Sequence, residues 1–504
     1  MEHFRDRRIS VIGAARSGIS AAQVLTRLGA EVLLSDTKTA EQIGPARLAE
    51  IEASGARFVP SAGIEAALPA GTELVITSPG VPKTAAALQE AVRRGIPVWS
   101  EIELACRLTD APIVAVTGTN GKTTTTLLIA AMLEAAGRNA LVAGNVSADE
   151  IKRTLVDAAF ATSRTADAGP QDAILVAEIS SFQLEWVEQF APRVGVLTNI
   201  TPDHLNRHAD FEEYARTKAR LFAAQGPEDW AVIGYDNPAA RAIGQLPLRA
   251  RRCWFTKSAC RTFGPAPGPA AWLEDDVLTV GLEAGAPVAI LRRAEMPAAL
   301  PGLHSVENVL AAAAAARAMG APAGAIAEAV RRFAGVAHRM ERVAEVGGVL
   351  YINNSMCTNV AAAVCSLAAM DRPTILIAGG ADKDLDFAPL VPTLRARAKH
   401  VVLIGSVAEK MEKTFTAGGY TALSRAGSLE EAVRKARDLA RPGEAVLLAP
   451  ACASFDMFAD FEARGVAFRQ AVHQLQGRGK REEGREKSPA PSPQSPIPRK
   501  SKEQ

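Results

Sequence analysis

A short glycine-containing segment between a predicted strand and a predicted helix has the residues needed to bind nucleotide phosphates. Residues 118–124 read Gly-Thr-Asn-Gly-Lys-Thr-Thr and directly follow the apolar residues 112–116. Backbone N–H groups of such a turn, and the positive end of the helix dipole, attract phosphate oxygens. Lys122 would then reach the β- and γ-phosphates, and the Thr123 hydroxyl would bind Mg²⁺. The Walker A pattern has glycine where this chain has Val116, and a plain strand-to-helix turn is the alternative interpretation.

A carboxylate stands at the end of a second predicted strand. Glu178 closes the apolar run of residues 173–178 and is followed by Ile-Ser-Ser-Phe-Gln. Ligands bind at the carboxyl ends of parallel strands in α/β proteins, and a carboxylate oxygen there suits Mg²⁺. A lone glutamate at a strand end is more often simply solvated. For Glu178, the position after the phosphate-binding motif favours the interpretation as a metal ligand.

Two histidines follow a third predicted strand, residues 194–199. His204 and His208 have the spacing of a zinc-protease helix, but that motif requires glutamate where Leu205 stands. His204 is therefore explained equally well as a Mg²⁺ or substrate contact and as a structural histidine. In the helical stretch that follows, Lys218 has the periodicity of an ordinary surface lysine.

The N-terminal segment has part of a dinucleotide-binding pattern. Residues 13–18 read Gly-Ala-Ala-Arg-Ser-Gly after a short apolar strand, with Ala15 where the fingerprint has glycine. This position suits a pyrophosphate, and Asp36 at the end of the next strand could contact a ribose or a base edge. A nicotinamide-dependent dehydrogenase is an alternative based on residues 9–36, but it leaves residues 118–124 unexplained.

Three blocks of alternating strands and helices must position these residues. The chain has 504 residues, of which 48% are hydrophobic and only 5% aromatic. That length predicts about three domains, and the composition favours helices packed on parallel sheets. We place the blocks at residues 1–108, 109–335 and 336–475. Residues 476–504 are rich in Gly, Arg, Lys, Glu, Ser and Pro and are predicted to form a disordered basic tail.

The bulk properties exclude several classes of protein. A net charge of +2 gives no overall attraction to nucleic acid or to an anionic membrane. The six cysteines include no CxxC pair and are expected to be reduced thiols. No apolar run reaches the ~18–20 residues of a membrane helix, and the N-terminus lacks a signal-peptide core. The sequence therefore predicts a cytoplasmic protein.

Taken together, the motifs resemble the Mur ligase family over everything before the tail. The resemblance rests on five ordered motifs, which begin at Gly118, Glu178, Thr198, His338 and Pro450. It implies three α/β domains: a Rossmann-like N-terminal domain that binds a UDP-sugar, a central P-loop ATPase-type parallel-sheet domain and a Rossmann-like C-terminal domain.

Within the family, the N-terminal block is most similar to the members that add D-glutamate. The Ser78-Pro-Gly-Val81 turn carries part of this likeness. The implied reaction is ATP-dependent ligation of D-glutamate to UDP-N-acetylmuramoyl-L-alanine through an acyl phosphate, in peptidoglycan precursor synthesis, by a monomer.

The resemblance also implies roles for individual residues. The catalytic group would be Lys122, Glu178, His204 and Lys218. The ATP contacts would be Gly118, Thr119, Asn120, Gly121, Lys122, Thr123, Thr124, Asn308 and Arg339. One Mg²⁺ would be held by Thr123 and Glu178 and a second by His204 and Lys218, with Lys218 carbamylated. The substrate contacts would be Ser17, Gly18, Asp36, Thr37, Ser78, Gly80, Asn145, Thr358, Lys383, Ser454 and Phe461.

The chain departs from the family pattern in two places. The family usually has Asp-Ser-Lys-Ala-Thr where residues 354–358 read Asn-Ser-Met-Cys-Thr, so an acid and a base are both lost. Ser305 also replaces the first Asn of a Gly-x-His-Asn-x-x-Asn motif. Two further alternatives remain. A folylpolyglutamate synthase-like ligase would lack the N-terminal block, and an ATPase acting as an interaction module would turn over ATP without an amino-acid acceptor.

Overall fold

The computed structural model describes residues 4–146, 153–163, 172–204, 207–259, 268–282, 286–382 and 384–486, with side chains through Leu475. The chain divides into two compact units, Met1–Ala337 and His338–Gln504. The first unit contains a five-stranded and a nine-stranded sheet, and the second contains a six-stranded sheet. Helices cover these largely parallel sheets, which confirms the α/β class predicted from composition.

The first sheet is entirely parallel, with its earliest strand near the middle. Its strand order is β3-β2-β1-β4-β5, which is the arrangement of a doubly wound fold. The carboxyl ends of β2, β1 and β4 therefore lie side by side. The elements are β1 Arg8–Ile12, α1 Arg16–Arg27, β2 Glu31–Ser35, α2 Ala40–Ile43, α3 Pro45–Ala53, β3 Arg57–Val59, α4 Ile64–Ala67, β4 Leu74–Thr77, α5 Ala86–Arg93, β5 Val98–Ser100 and α6 Glu101–Leu108.

The second sheet has a parallel core extended by antiparallel strands at one edge. Its order is β14-β13-β12-β11-β10-β9-β6-β8-β7, and only the pairs β12–β13 and β13–β14 are antiparallel. The elements are β6 Ile113–Thr117, α7 Lys122–Ala135, β7 Asn139–Gly144, α8 Leu155–Ala161, β8 Ala173–Glu178, α9 Ser181–Leu184, β9 Val194–Leu197, α10 Phe211–Ala219, β10 Trp230–Gly234, α11 Pro238–Gly244, β11 Arg251–Thr256, β12 Ala270–Glu274, β13 Val277–Gly281, β14 Val288–Arg292, α12 Gly302–Ala318 and α13 Ala323–Arg332.

Small side chains let a helix approach this sheet closely. Residues 311–316 of α12 are six consecutive alanines, all buried between the sheet and α7. Alanine has high helix propensity and loses no side-chain rotamers on burial. The alanine run therefore stabilises α12 as a helix and allows it to lie beside the start of α7.

The second unit is a parallel sheet with one antiparallel edge strand. Its order is β15-β16-β20-β17-β18-β19, and only the β15–β16 pair is antiparallel. The elements are β15 Glu341–Val346, β16 Val349–Asn353, α14 Val360–Ala368, β17 Thr374–Gly379, α15 Val391–Arg397, β18 Ala398–Ile404, α16 Ala408–Ala417, β19 Leu423–Arg425, α17 Leu429–Leu439, β20 Ala445–Leu448 and α18 Phe461–Glu486.

The last helix extends into the segment that the sequence predicted to be disordered. We expected disorder from residue 476, whereas α18 continues to Glu486. The Arg, Lys and Glu residues of this stretch are good helix formers, which explains the continuation. Residues 487–504, the rest of the predicted tail, lie outside the described residues. Across the described part of the chain, no helix is long and apolar enough to span a membrane.

Candidate active site

The phosphate-binding motif forms a tight loop between β6 and α7. Two of its glycines have positive φ, 148° at Gly118 and 84° at Gly121, a region that side chains disfavour. A Cβ atom on Gly121 would lie 2.3 Å from Oδ1 of Asn308. Gly121 caps α7 without a side-chain hydrogen bond, so the first N–H groups of the helix point toward the loop. This geometry suits a phosphate group at the start of α7.

The segment after β9 holds this loop in place. Asn199 accepts a hydrogen bond from the Asn120 N–H at 3.0 Å and donates one to the Asn120 carbonyl at 3.1 Å. Thr198 Oγ1 donates to the same carbonyl at 2.7 Å. Neither residue was predicted to have a role of its own. Their position directly after a strand that neighbours β6 was the signal that could have identified them.

A hydroxyl and a carboxylate meet at the start of α7. Thr123 Oγ1 donates to Oε2 of Glu178 at 2.6 Å, and each residue is 3% exposed. They meet because β8, which ends at Glu178, pairs directly with β6. Among the described residues, no three His, Cys, Asp or Glu side chains cluster as a metal site. One hydroxyl and one carboxylate beside a phosphate site fit Mg²⁺, which usually binds one or two carboxylates together with substrate phosphates.

Lys218 is buried beneath the loop, contrary to the surface position that its periodicity indicates. The side chain is 2% exposed and its Nζ donates to the Gly118 carbonyl at 2.9 Å. Nζ also lies 4.7 Å from the centre of the Tyr214 ring. Burial, and to a smaller extent the nearby cation Lys122, hold the pKa of Lys218 well below its usual range. An amine in this environment favours its neutral form.

The two histidines of the third motif have different environments. His204 has a positive φ of 54° and a partly exposed ring, with Nε2 3.7 Å from Oδ2 of Asp203. His208 is buried and its Nε2 is 3.0 Å from Ser181 Oγ. Burial, and then the charge of His204, lower the pKa of His208 to about 4. His208 is thus a neutral structural residue, and His204 is the more exposed of the two.

Asn308 and Arg339 were predicted to contact ATP. Asn308 is largely buried on α12, beside Gly121, and accepts a hydrogen bond from Thr125 Oγ1 at 3.5 Å. Arg339 belongs to the second unit and stands between His338 and Met340, which both have positive φ. The structure therefore places Asn308 at the phosphate loop.

The predicted substrate contacts of the first sheet lie at the carboxyl ends of β1, β2 and β4. Asp36 accepts the Ala14 N–H at 2.8 Å, and Ser78 donates to the Gly13 carbonyl at 2.6 Å. A Cβ atom on Gly18 would lie 1.9 Å from that carbonyl oxygen. These residues shape the turn, while Ser17 is half-buried and Thr37 and Gly80 are exposed.

One contact connects this edge of the first sheet with the site on the second. Arg207 donates to the Val81 carbonyl at 2.7 Å and forms a bidentate pair with Glu185 at 3.0 and 2.6 Å. The exposed residue Asn145 donates its N–H to the Glu178 carbonyl at 2.9 Å. The Ser78–Val81 turn and Asn145 thus lie near the segments that carry His204 and Glu178.

The predicted amino-acid contacts belong to the second unit. Thr358 follows β16 and is half-buried, Ser454 follows β20 and is buried, and Phe461 begins α18. Lys383 lies outside the described residues. Thr358 and Ser454 stand on the loops that follow the neighbouring parallel strands β16 and β20, and Phe461 begins the helix after the second loop, so all three lie at one end of the sheet.

A phosphate loop with an adjacent Thr–Glu pair, at the carboxyl edge of a parallel sheet, defines a nucleoside-triphosphate-binding α/β protein. Three family models match: the Mur ligase MurD-like N-terminal domain over residues 7–100, the Mur ligase middle domain over 116–316, and the Mur ligase glutamate ligase domain over 338–452. The chain belongs to the Mur ligase family, as the sequence motifs predicted. The N-terminal match accounts for residues 9–36 without a nicotinamide cofactor.

Relatives align over nearly the full chain. A UDP-N-acetylmuramoylalanine–D-glutamate ligase of Pelotomaculum thermopropionicum is 42% identical, covering 94% of this chain and 99% of the relative. The ligase of the same name from Symbiobacterium thermophilum is 39% identical, covering 93% and 98%.

Solved structures share the fold. A pseudomurein peptide ligase type C from Methanothermus fervidus has a TM-score of 0.54 at 18% identity, covering 93% of this chain and all of that one. UDP-N-acetylmuramate–alanine ligase MurC from Thermotoga maritima has a TM-score of 0.54 at 17% identity, covering 93% of this chain and 99% of its own.

Proposed function

We propose that this chain is an ATP-dependent ligase that joins D-glutamate to UDP-N-acetylmuramoyl-L-alanine, releasing ADP and phosphate. The observation that carries the proposal is the phosphate loop with Thr123 hydrogen-bonded to Glu178 at 2.6 Å, in a chain whose full-length relatives bear this activity in their names. The reaction belongs to peptidoglycan precursor synthesis, and its nucleotide substrates place it in the cytoplasm.

The mechanism begins with activation of a carboxylate, which is a poor electrophile. A carboxylate oxygen of the terminal alanine attacks the γ-phosphorus of ATP, an O–P bond forms, and the bond to the ADP oxygen breaks. Lys122 and the N–H groups at the start of α7 offset the negative charge of the phosphates. Thr123 and Glu178 would hold Mg²⁺, which would supply further positive charge to the phosphates. The product of this step is an acyl phosphate.

The second step forms the amide. The neutral amine of glutamate attacks the acyl carbon, and the tetrahedral intermediate collapses with loss of phosphate. A base must remove one proton from the attacking nitrogen. A carboxylate is the candidate where His204 is a metal ligand, and the partly exposed His204 is the candidate where it is not. The predicted contacts of the second unit, Thr358, Lys383, Ser454 and Phe461, would hold the amino acid, and Arg339 would contact the nucleotide.

We also propose a second Mg²⁺ site at His204 and a carbamylated Lys218. The low pKa and full burial of Lys218 support a neutral amine, which can attack CO₂, form an N–C bond and release a proton. The carbamate would turn a cation into an oxygen ligand. The test is ¹³C NMR after incubation with ¹³C-bicarbonate: a carbamate signal is expected in the wild type and should be missing in Lys218→Arg. The same spectrum from both proteins would contradict the modification.

The experiment that tests the function is phosphate release from ATP with UDP-N-acetylmuramoyl-L-alanine. Three reactions are compared, with D-glutamate, with L-glutamate and with no amino acid, and Lys122→Ala serves as the inactive control. Release that depends on D-glutamate supports the proposal. Release with L-glutamate but not with D-glutamate would show that the product contains L-glutamate. Equal release without any amino acid would favour an ATPase that acts as an interaction module. Release in a fourth reaction, in which a folate replaces the UDP-linked substrate, would favour a folylpolyglutamate synthase-like ligase.

A further inference from the structure

A buried cation in the second unit is hydrogen-bonded to neutral oxygens, with Asp456 as a more distant acidic neighbour. Arg464 lies on α18, three residues after Phe461, and is 1% exposed. No carboxylate among the described residues lies within ion-pair distance of its guanidinium. The group instead donates to Ser355 Oγ at 3.0 Å, to the Ser355 carbonyl at 2.8 Å, and to the carbonyls of Cys452 and Ala453 at 3.2 Å each.

These oxygens belong to two loops that follow neighbouring strands. Ser355 follows β16 and stands three residues before Thr358, whereas Ala453 follows β20 and directly precedes Ser454. Ser355 Oγ donates in turn to the Phe461 carbonyl at 2.8 Å. One guanidinium therefore connects, through one shared hydroxyl, the segments that carry Thr358, Ser454 and Phe461.

Neighbouring backbone segments pack closely against the Arg464 side chain and its hydrogen-bond partners. A Cβ atom on Gly380 would lie 3.2 Å from Nη1 of Arg464 and 2.2 Å from the Ala453 carbonyl oxygen. Ala451 has a positive φ of 61°, a strained conformation that persists only where neighbouring contacts hold it. Burial lowers the pKa of Arg464 to about 10, so the guanidinium remains protonated at neutral pH.

We propose that Arg464 is a positioning residue for the incoming amino acid, acting as a buried cation that fixes the two loops after β16 and β20. Burying a cation with no carboxylate at ion-pair distance is unfavourable, and a dianionic acceptor such as glutamate would gain from a fixed positive charge behind its binding loops. This role rests on the proposed ligase function and adds a residue that contacts the loops rather than the substrate.

The test compares steady-state constants in two variants and one control. Arg464→Lys keeps the charge but loses the planar fork, and Arg464→Met removes the charge. Arg437→Lys is the matched control because Arg437 is exposed and bonds only its neighbour Asp438 among the described side chains. We expect the KM for D-glutamate to rise on the order of tenfold in Arg464→Lys and on the order of 100-fold in Arg464→Met, with the KM for ATP changed by no more than about twofold.

A purely structural role would give a different result. Partial unfolding lowers kcat in proportion to the folded fraction and leaves every KM unchanged. An unchanged KM for D-glutamate in an active Arg464→Lys enzyme would therefore overturn the proposal. Hydrogen exchange of residues 451–461, measured without substrates, should be faster in Arg464→Lys than in Arg437→Lys. If the wild type shows no acceptor-dependent release, the ligase function fails, and unchanged exchange would separately overturn the positioning role.

Discussion

The two glycines that flank α7 allow a sharp test of the phosphate loop. Gly121 precedes the helix with φ 84°, and Gly137 follows it with φ 73°. A Cβ atom on Gly121 would lie 2.3 Å from Oδ1 of Asn308, whereas one on Gly137 would have no neighbour within 4 Å. Substitution by alanine thus imposes the same kind of backbone strain at both positions, but only Gly121→Ala disturbs the nucleotide site.

The expected magnitudes follow from these contacts. A left-handed alanine costs about 1–2 kcal/mol, part of which is offset by about 0.4–1 kcal/mol from the restricted unfolded chain. Gly137→Ala should therefore lose about 1 kcal/mol of stability. Gly121→Ala must also displace the Asn308 amide and its hydrogen bond from Thr125, which adds about 1 kcal/mol. Gly121→Ala should therefore melt roughly 2–4 °C below Gly137→Ala.

ATP binding separates the two variants more clearly than stability does. Gly121→Ala should raise the Kd for ATP on the order of tenfold or more, because both the loop and Asn308 move. Gly137→Ala should bind ATP like the wild type. Thermal unfolding and titration with a fluorescent ATP analogue are the assays. Equal melting temperatures together with equal ATP affinities would refute the assignment of Gly121 and Asn308 to the nucleotide site.

Two further predictions concern buried carboxylates. Glu178→Gln keeps the contact with Thr123 but removes the charge. The Mg²⁺ concentration for half-maximal activity should therefore rise, and kcat/KM should fall on the order of 100-fold. The control is Glu134→Gln, at an exposed position, and the same Mg²⁺ dependence in both variants would contradict the metal assignment. Burial raises the pKa of Glu101 to about 7. The contribution of this carboxyl group to the free energy of unfolding is therefore complete at low pH, and it is lost as the pH rises through 7 toward 8. Glu101→Gln should therefore exceed the wild type in melting temperature at pH 8 but not at pH 5, and a difference that does not change with pH would show that Glu101 does not titrate in this range.

The buried parallel strands were the part of the fold that the sequence predicted best. The bounds of β8, Ala173–Glu178, agree with those expected, because a continuous apolar run marks a strand covered on both faces. The antiparallel additions were missed. β15 has charged residues at three of its six positions, and β13 alternates between half-buried and buried positions, so neither shows a continuous apolar run.

The candidate site was predictable where a motif carries its own backbone requirement. Gly118 and Gly121 need positive φ, and that need is visible as glycine in the sequence. Lys218 shows the opposite case. Its helical position indicates solvent, and only the packing of α10 against the loop buries it, a tertiary effect that local spacing does not encode. Arg464 was missed for the same reason. Its partner Ser355 is 109 residues away in the sequence, and its partner Cys452 lies on the preceding loop, 12 residues away.

The departure at residues 354–358 shows how the local network accommodates a change of charge. Asn354 is buried, accepts the Met340 N–H at 3.2 Å and donates to Ser366 Oγ at 2.7 Å. Ser366 donates its own proton to the Ala362 carbonyl at 2.7 Å, so it must accept at this contact, which an ionised aspartate could not supply. The amide therefore fits this network as both an acceptor and a donor. Because the acid and the base are replaced together, the loop loses no net charge, and the backbone that presents Thr358 is held by hydrogen bonds rather than by an ion pair.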